Sequence, residues 1–168
     1  MAYEIRKMEV QDAASIIEHK KLVTAENPDT LATAIENKTI TIEEEEATIK
    51  SLGPNDLGLV AVDGDTVIGM LNMRQDHRKK FEHIGQFGIS LQRAYTGSGT
   101  GTKMVEQAIE FARSNEKIEK VILTVFANNP GAIKLYKRLG FQEEATLKNQ
   151  VKLTDGYTDL VYMANFLK

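Results

Sequence analysis

The segment Thr96-Gly97-Ser98-Gly99-Thr100-Gly101-Thr102-Lys103 sets glycine at three alternate positions between an apolar run and an amphipathic helical pattern. Glycine at this density lets a backbone approach a ligand with no Cβ in the way. The helix that follows turns its unpaired N–H groups back to the same place. Together they predict an anion site for a phosphate or pyrophosphate. Two familiar phosphate loops fail on spacing. The nucleotide-triphosphate loop requires a Gly-Lys pair, whereas Thr102 separates Gly101 from Lys103. The dinucleotide fingerprint G-x-G-x-x-G meets Thr102 when started at Gly97 and Met104 when started at Gly99. It also belongs to a first βαβ unit, and this loop lies past mid-chain. A plain flexible turn is the competing reading; helical periodicity starting directly after the loop weakens it.

Elements that could position such a loop are readable on both sides. Tyr3, Ile5 and Lys7 alternate as a first strand, and Asp12 is placed to cap a helix carrying Ile16 and Ile17. Thr41 and Glu44 form a capping box opening a helix to about Leu52. Residues 26–38 are ambiguous, with Pro28 interrupting any long helix. Gly58 to Val62 and Thr66 to Met73 read as strands joined by a tight turn at Asp63-Gly64-Asp65. Arg74 to Lys80 then reads as a polar, basic connection, and Ile84 to Leu91 as the strand leading into the glycine loop. After the loop, Met104, Val105, Ala108, Ile109 and Ala112 repeat at helical spacing. Val121 to Val125 is a strand, Asn129-Pro130 starts a helix, and Gly140 ends it. Two strands, joined at Asp155-Gly156, finish the chain.

Composition bounds the function. A chain of 168 residues is expected to form a single domain over 1–168. A net charge of −3 gives no reason to expect nucleic acid or an anionic membrane as partner. The absence of cysteine excludes a disulfide framework, a thiol nucleophile and a thiolate metal site. His19, His77 and His83 are too scattered to suggest a metal cluster, so no metal is expected. No apolar stretch approaches the roughly 20 residues of a membrane span, and no apolar segment follows Met1–Lys7. The expectation is a soluble cytoplasmic protein.

The run Val125-Phe126-Ala127-Asn128-Asn129-Pro130-Gly131-Ala132-Ile133-Lys134-Leu135-Tyr136-Lys137-Arg138-Leu139-Gly140-Phe141 combines an asparagine, a Leu-Tyr pair and a terminal Gly-Phe. With the glycine loop upstream, the chain resembles the GNAT superfamily of N-acetyltransferases over nearly its whole length. The resemblance implies an α/β (α+β) GNAT-like acyl-CoA N-acyltransferase fold, a mixed twisted sheet of about seven strands with helices on both faces. It implies acetyl-CoA as cofactor, held by Ile89 and Leu91 on the fourth strand and by Thr96, Gly97, Ser98, Gly99, Thr100, Gly101 and Thr102. Asn129 and Tyr136 complete that set. The fourth and fifth strands are expected to part at Leu91 and Val121, with the pantetheine arm added along the fourth strand's edge. The backbone N–H near Leu91 would polarise the thioester carbonyl, and Tyr136 would protonate the leaving thiolate after direct attack by an amine. On residue pattern alone, Tyr136 also fits a core aromatic and Asn129 a plain helix cap.

Where the family carries Arg or Gln, this chain has Thr96, so a charge-assisted contact to the pyrophosphate is missing. The general base is not fixed by a motif: Glu82 and His83, just before the fourth strand, are expected near the cleft mouth, and Glu26 is a candidate for binding the amine. The tail Asp155-Gly156-x-x-Asp159-x-x-x-Met163 resembles the branch holding ribosomal-protein and polyamine acetyltransferases. That branch implies a primary amine as substrate, on a small molecule or a peptide N-terminus, and leaves a homodimer open. The competing class is a non-catalytic acyl-CoA-binding or regulatory protein of the same fold.

Overall fold

The computed structural model describes residues 2–32 and 39–168. A seven-stranded sheet runs in the order β1-β2-β3-β4-β5-β7-β6. Its strands are β1 (Glu4–Lys7), β2 (Leu57–Asp63), β3 (Thr66–Gln75), β4 (Ile84–Leu91), β5 (Lys120–Phe126), β6 (Gln142–Leu153) and β7 (Gly156–Phe166). The helices are α1 (Ala13–Glu26), α2 (Ile42–Lys50), α3 (Thr100–Ser114) and α4 (Pro130–Arg138). Two apolar layers hold them. Ala13 and Ile16 of α1 and Ile49 of α2 pack on Val60, Val62, Val67 and Met70. Met104, Val105, Ala108, Ile109 and Ala112 of α3, with Tyr136 of α4, pack on Leu59, Leu71, Met73 and Phe87. Strand alternation, shifted by one residue on β3 at the β2–β3 irregularity beside Ala61 and Val62, assigns those two residue sets to opposite faces of the sheet.

Local chemistry sets most boundaries. Thr41 Oγ1 accepts the Glu44 N–H at 3.1 Å and Glu44 Oε2 accepts the Thr41 N–H at 3.0 Å, closing the capping box. Helix α1 stops just before Pro28, as its geometry demands. Asn129 Oδ1 accepts the Ala132 N–H at 3.3 Å, with Pro130 in the first turn. Gly140 ends α4 in the left-handed region at φ 96°, and Phe141 N–H closes back on Tyr136 O at 3.0 Å. Asp12 departs from its expected role. It makes no side-chain cap on α1; its carboxylate takes both Arg6 guanidinium nitrogens at 2.8 Å and the Glu9 N–H at 2.7 Å. Arg6 accordingly holds the Asp12 carboxyl below its ordinary range.

Two differences bear on function. Strand β3 continues through Arg74 and Gln75, which the sequence suggested were already in the connection. Strands β4 and β5 do part, but earlier than Leu91. They pair in parallel only at Ile84 with Lys120, Gly85 with Val121 and Gln86 with Ile122. Val121 therefore lies inside the paired segment, and the V opens from Phe87 onward. The Asp159 tail has a local structural explanation: Asp159 takes the Asn149 N–H and Lys148 Nζ, each at 2.9 Å. Those bonds brace a register irregularity where Asn149 has φ 51°.

Candidate active site

The divergence leaves half of a strand edge unpaired. Antiparallel partners alternate between residues that exchange hydrogen bonds and residues whose polar groups face away. Asp76 N–H donates to Ile84 O and Gln92 N–H to Ile68 O, each at 2.9 Å, at the two ends of the β3–β4 ladder. Continuing that alternation gives Gln86, Gly88 and Ser90 to β3. Phe87, Ile89 and Leu91 therefore turn their N–H and C=O groups toward β5, which beyond Ile122 no longer pairs with them. This is an open edge at which an extended amide-bearing chain can add as a strand.

The glycine loop continues from that edge. Gly97 and Gly99 have φ 73° and 85°, the left-handed region that favours glycine. Thr96 Oγ1 donates to Arg93 O at 2.7 Å, Ser98 Oγ donates to Tyr95 O at 2.6 Å, and Tyr95 Oη donates to Asp63 Oδ2 at 2.8 Å. These bonds fold the turn on itself. Among the described residues, every backbone N–H from Gly97 to Thr102 lacks a protein acceptor. A Cβ built on Gly97, Gly99 or Gly101 meets nothing within 4 Å. Orphan donors around an open cradle at a helix N-terminus fit a pyrophosphate. Thr96 spends its hydroxyl inside the turn, so it does not replace the missing Arg or Gln. Arg138 donates to Thr102 Oγ1 at 3.3 Å, bringing a guanidinium from α4 to the first turn of α3, beside Lys103.

A cavity of about 680 Å³ passes through the V. Its wall takes Ile89, Phe87, Asn129 and Tyr136 on one side and Lys20, Val23 and Thr24 of α1 on the other. Tyr136 is 7% exposed and stacks edge-on against Phe87 and Phe141, with ring centroids 6.0 Å away in each case. Burial pushes its phenol up to about 12, so the hydroxyl keeps its proton at neutral pH.

Ile89, Asn129 and Tyr136 thus meet in one cavity. Leu91 and the 96–102 loop extend the same edge but are not in the cavity wall. The expected place of Glu82 and His83 at the cleft mouth is not what the structure has. They precede the paired end of β4, where His83 O accepts the Glu119 and Lys120 N–H groups. Glu26 is occupied elsewhere as well: Oε2 accepts the Arg93 N–H at 2.9 Å, and the Arg93 guanidinium reaches the Glu26 carbonyl. Sequence reasoning missed Lys20, Asn72, Arg74, Gly88 and Ser90, all in the wall. It also missed His19, 1% exposed, whose Nε2 lies 2.8 Å from Ser90 Oγ while Nδ1 has no partner. Burial lowers the His19 imidazole to about 4, so it is neutral at pH 7. The readable signal was strand alternation: Met70, Asn72 and Arg74 share one face.

Residues 21–141 match the model of the Acetyltransferase (GNAT) family, and the chain belongs to that family. L-amino acid N-acetyltransferase AaaT of Escherichia coli is 32% identical over 106 residues, 63% of this chain and 65% of that protein. Spermine/spermidine N(1)-acetyltransferase of Bacillus subtilis is 42% identical over 48 residues, 29% of this chain and 32% of its own length. The chain thus spans less than two thirds of the length of the curated relatives it matches. The acetyltransferase of GNAT family from Streptococcus pneumoniae superposes with a TM-score of 0.93 at 27% identity, covering 99% of this chain and 100% of that one. The yncA protein of Salmonella typhimurium, solved with its cofactor acetyl-CoA, shares the fold with a TM-score of 0.85 at 19% identity. That match covers 100% of this chain and 95% of that one.

Proposed function

We propose that the protein transfers an acetyl group from acetyl-CoA to a primary amine, by direct attack and without an acyl-enzyme. The observation that carries this reading is the open β4 edge at Phe87, Ile89 and Leu91, running between a cradle of orphan N–H groups and a cavity through the sheet. Acetyl-CoA supplies an acyl group already activated as a thioester. The backbone from Gly97 to Thr102 holds the pyrophosphate with charge-assisted hydrogen bonds. Ile89 and Leu91 hold the pantetheine arm by main-chain pairing, and the Ile89 N–H, on the stretch of the edge that shares the cavity with Tyr136, is the donor to the thioester carbonyl.

Tyr136 keeps its phenolic proton and provides it to the departing thiolate. Asn129 spends its Oδ1 on the Ala132 N–H and keeps its amide nitrogen for a ligand. Among the described residues of the wall there is no carboxylate or imidazole to take the amine proton. The attacking species in this reading is the neutral amine, and its rate rises with pH toward the amine's own pKa. The test is a panel of primary amines with acetyl-CoA, read for free thiol and, by mass spectrometry, for acetylated product. Thiol release that depends on an amine supports the reading. Acetyl-CoA binding without turnover across the panel refutes it in favour of an acyl-CoA-binding module.

A further inference from the structure

We infer that the acceptor amine carries a carboxylate, as a free amino acid does, and that Lys20 and Arg74 read it; this rests on the acetyl transfer proposed above. The cavity has a second end, on the α1 face of the sheet. Arg74 with Gln86, Asn72 with Gly88, and Met70 with Ser90 are register partners there, and all line it together with Lys20. Among the described residues of the wall, the charged ones are Lys20 and Arg74.

Their counter-ions sit outside the wall. Lys20 Nζ meets Glu45 Oε2 at 2.6 Å, and the Glu45 side chain is 3% exposed. Arg74 meets Asp56 Oδ2 at 3.2 Å, and the Asp56 side chain is 2% exposed. Each pair is thus a dipole with a buried carboxylate and its cation at the cavity. An acceptor with a second ammonium, such as a polyamine, meets cations and finds no carboxylate in the described wall. The Arg74 terminal nitrogens donate to Asp56, Ser51 and Thr48, which leaves Nε as its donor without a protein acceptor among the described residues. A carboxylate meets that edge of the guanidinium and the Lys20 ammonium, with Asn72 and Gln86 also in the wall.

The His19–Ser90 contact adds a donor. His19 is buried, with Nδ1 unpartnered and Nε2 at 2.8 Å from Ser90 Oγ. A proton on Nε2 leaves only a lone pair, rather than an N–H, stranded at Nδ1. Ser90 Oγ then accepts from His19, which frees its own O–H to donate into the cavity. Gly88, between Ser90 and Gln86 on this face, carries no side chain, and a Cβ there would meet nothing within 4 Å. The floor is open where the amine must approach the V.

The experiment compares L-amino acids with their amides and with spermidine, on the full chain with saturating acetyl-CoA. Free thiol gives kcat and KM, and calorimetry on the CoA-bound protein gives acceptor affinity apart from turnover. The acid should exceed its amide in affinity, and in kcat/KM counted per neutral amine, by about 10–100-fold, the range of a charge-assisted contact. The paired substitution Lys20→Gln with Glu45→Gln removes the wall charge and its buried partner together. It should raise KM for the acid by much more than KM for the amide, and Arg74→Gln paired with Asp56→Asn should do the same. Equal handling of acid and amide, or a preference for spermidine, overturns this inference while acetyl transfer stands. No thiol release with any amine overturns acetyl transfer, and the calorimetric acid-to-amide ratio then decides the wall charge by itself.

Discussion

Alanine at Gly99 tests the glycine loop in a way the geometry makes quantitative. Gly99 is the N-cap of α3 at φ 85°, ψ 0°, and a Cβ built there meets nothing within 4 Å. Steric clash with the protein is therefore absent, and the whole cost is the left-handed backbone, about 1–2 kcal/mol for a residue with a Cβ. That strain has two places to appear. If the free loop holds its shape, the cost falls on folding, and the midpoint drops by about 2–4 °C per kcal/mol for a chain of this size. If the free loop relaxes, stability is spared and the strain returns when acetyl-CoA restores the loop, weakening Kd by about 5–30-fold. The stiffer unfolded chain returns about 0.4–1 kcal/mol to stability in either case. The assay is thermal unfolding without ligand together with calorimetry of acetyl-CoA binding, on Gly99→Ala and Gly99→Asn. Asparagine tolerates the left-handed region, so Gly99→Asn should show a smaller combined loss. Unchanged midpoint and unchanged Kd in Gly99→Ala would refute the reasoning.

Four further outcomes are expected. Tyr136→Phe should slow single-turnover transfer by about 10²-fold with acetyl-CoA affinity intact; a wild-type rate would leave Tyr136 as a packing partner of Phe87 and Phe141. Thr96→Arg should tighten acetyl-CoA by about 1–2 kcal/mol at low salt, a gain limited by Lys103 and Arg138 at the same helix turn; calorimetry showing no gain places the phosphates elsewhere. Gly88→Val fills the open floor beside Asn72 and should raise the amine's KM about tenfold or more, with acetyl-CoA binding unchanged. His19 titrates near 4 when folded and near 6.5 when unfolded. Protons thus favour the unfolded chain between those values, and stability should fall by about 3 kcal/mol as pH drops from 6.5 to 4. Denaturant unfolding of His19→Gln should lack that slope.

Most of the fold was legible because its signals are local. The Thr41–Glu44 box, Pro28, Asn129-Pro130 and Gly140 each act through bonds or dihedrals within one turn, and each stands where the sequence put it. Asp12 shows the limit. An aspartate before a helix has the right chemistry to cap it, but Arg6, arriving from β1, takes its carboxylate with two hydrogen bonds. Two hydrogen bonds to a guanidinium cation outweigh a single cap bond to a backbone N–H, and no local pattern announces them. Arg74 was misplaced for a related reason: its side chain reads as loop-like, but it is held at the end of β3 by Asp56, Ser51 and Thr48.

The site divides along the same line. The glycine loop from Gly97 to Thr102 was marked in the sequence by its spacing, and Asn129 and Tyr136 by the family resemblance alone. The wall residues on the α1 face were not, because their membership depends on where two strands stop pairing. Had β4 and β5 parted at Leu91, the Ile89 and Phe87 edges would be closed by β5, and the cavity between α1 and α4 would not exist. Parting after Gln86 moves the opening to lie over Gly88 and Asn72 and exposes Arg74 to it. The same shift leaves Glu82 and His83 behind the closed end. Strand register is set by side chains from distant parts of the chain packing at once, here Phe87 against Tyr136 and Phe141. The bulk of Phe87 on the α3–α4 face and the bareness of Gly88 on the α1 face make this the point where a V can open. One face is filled with aromatic rings packed on Phe87, and the other is open over Gly88.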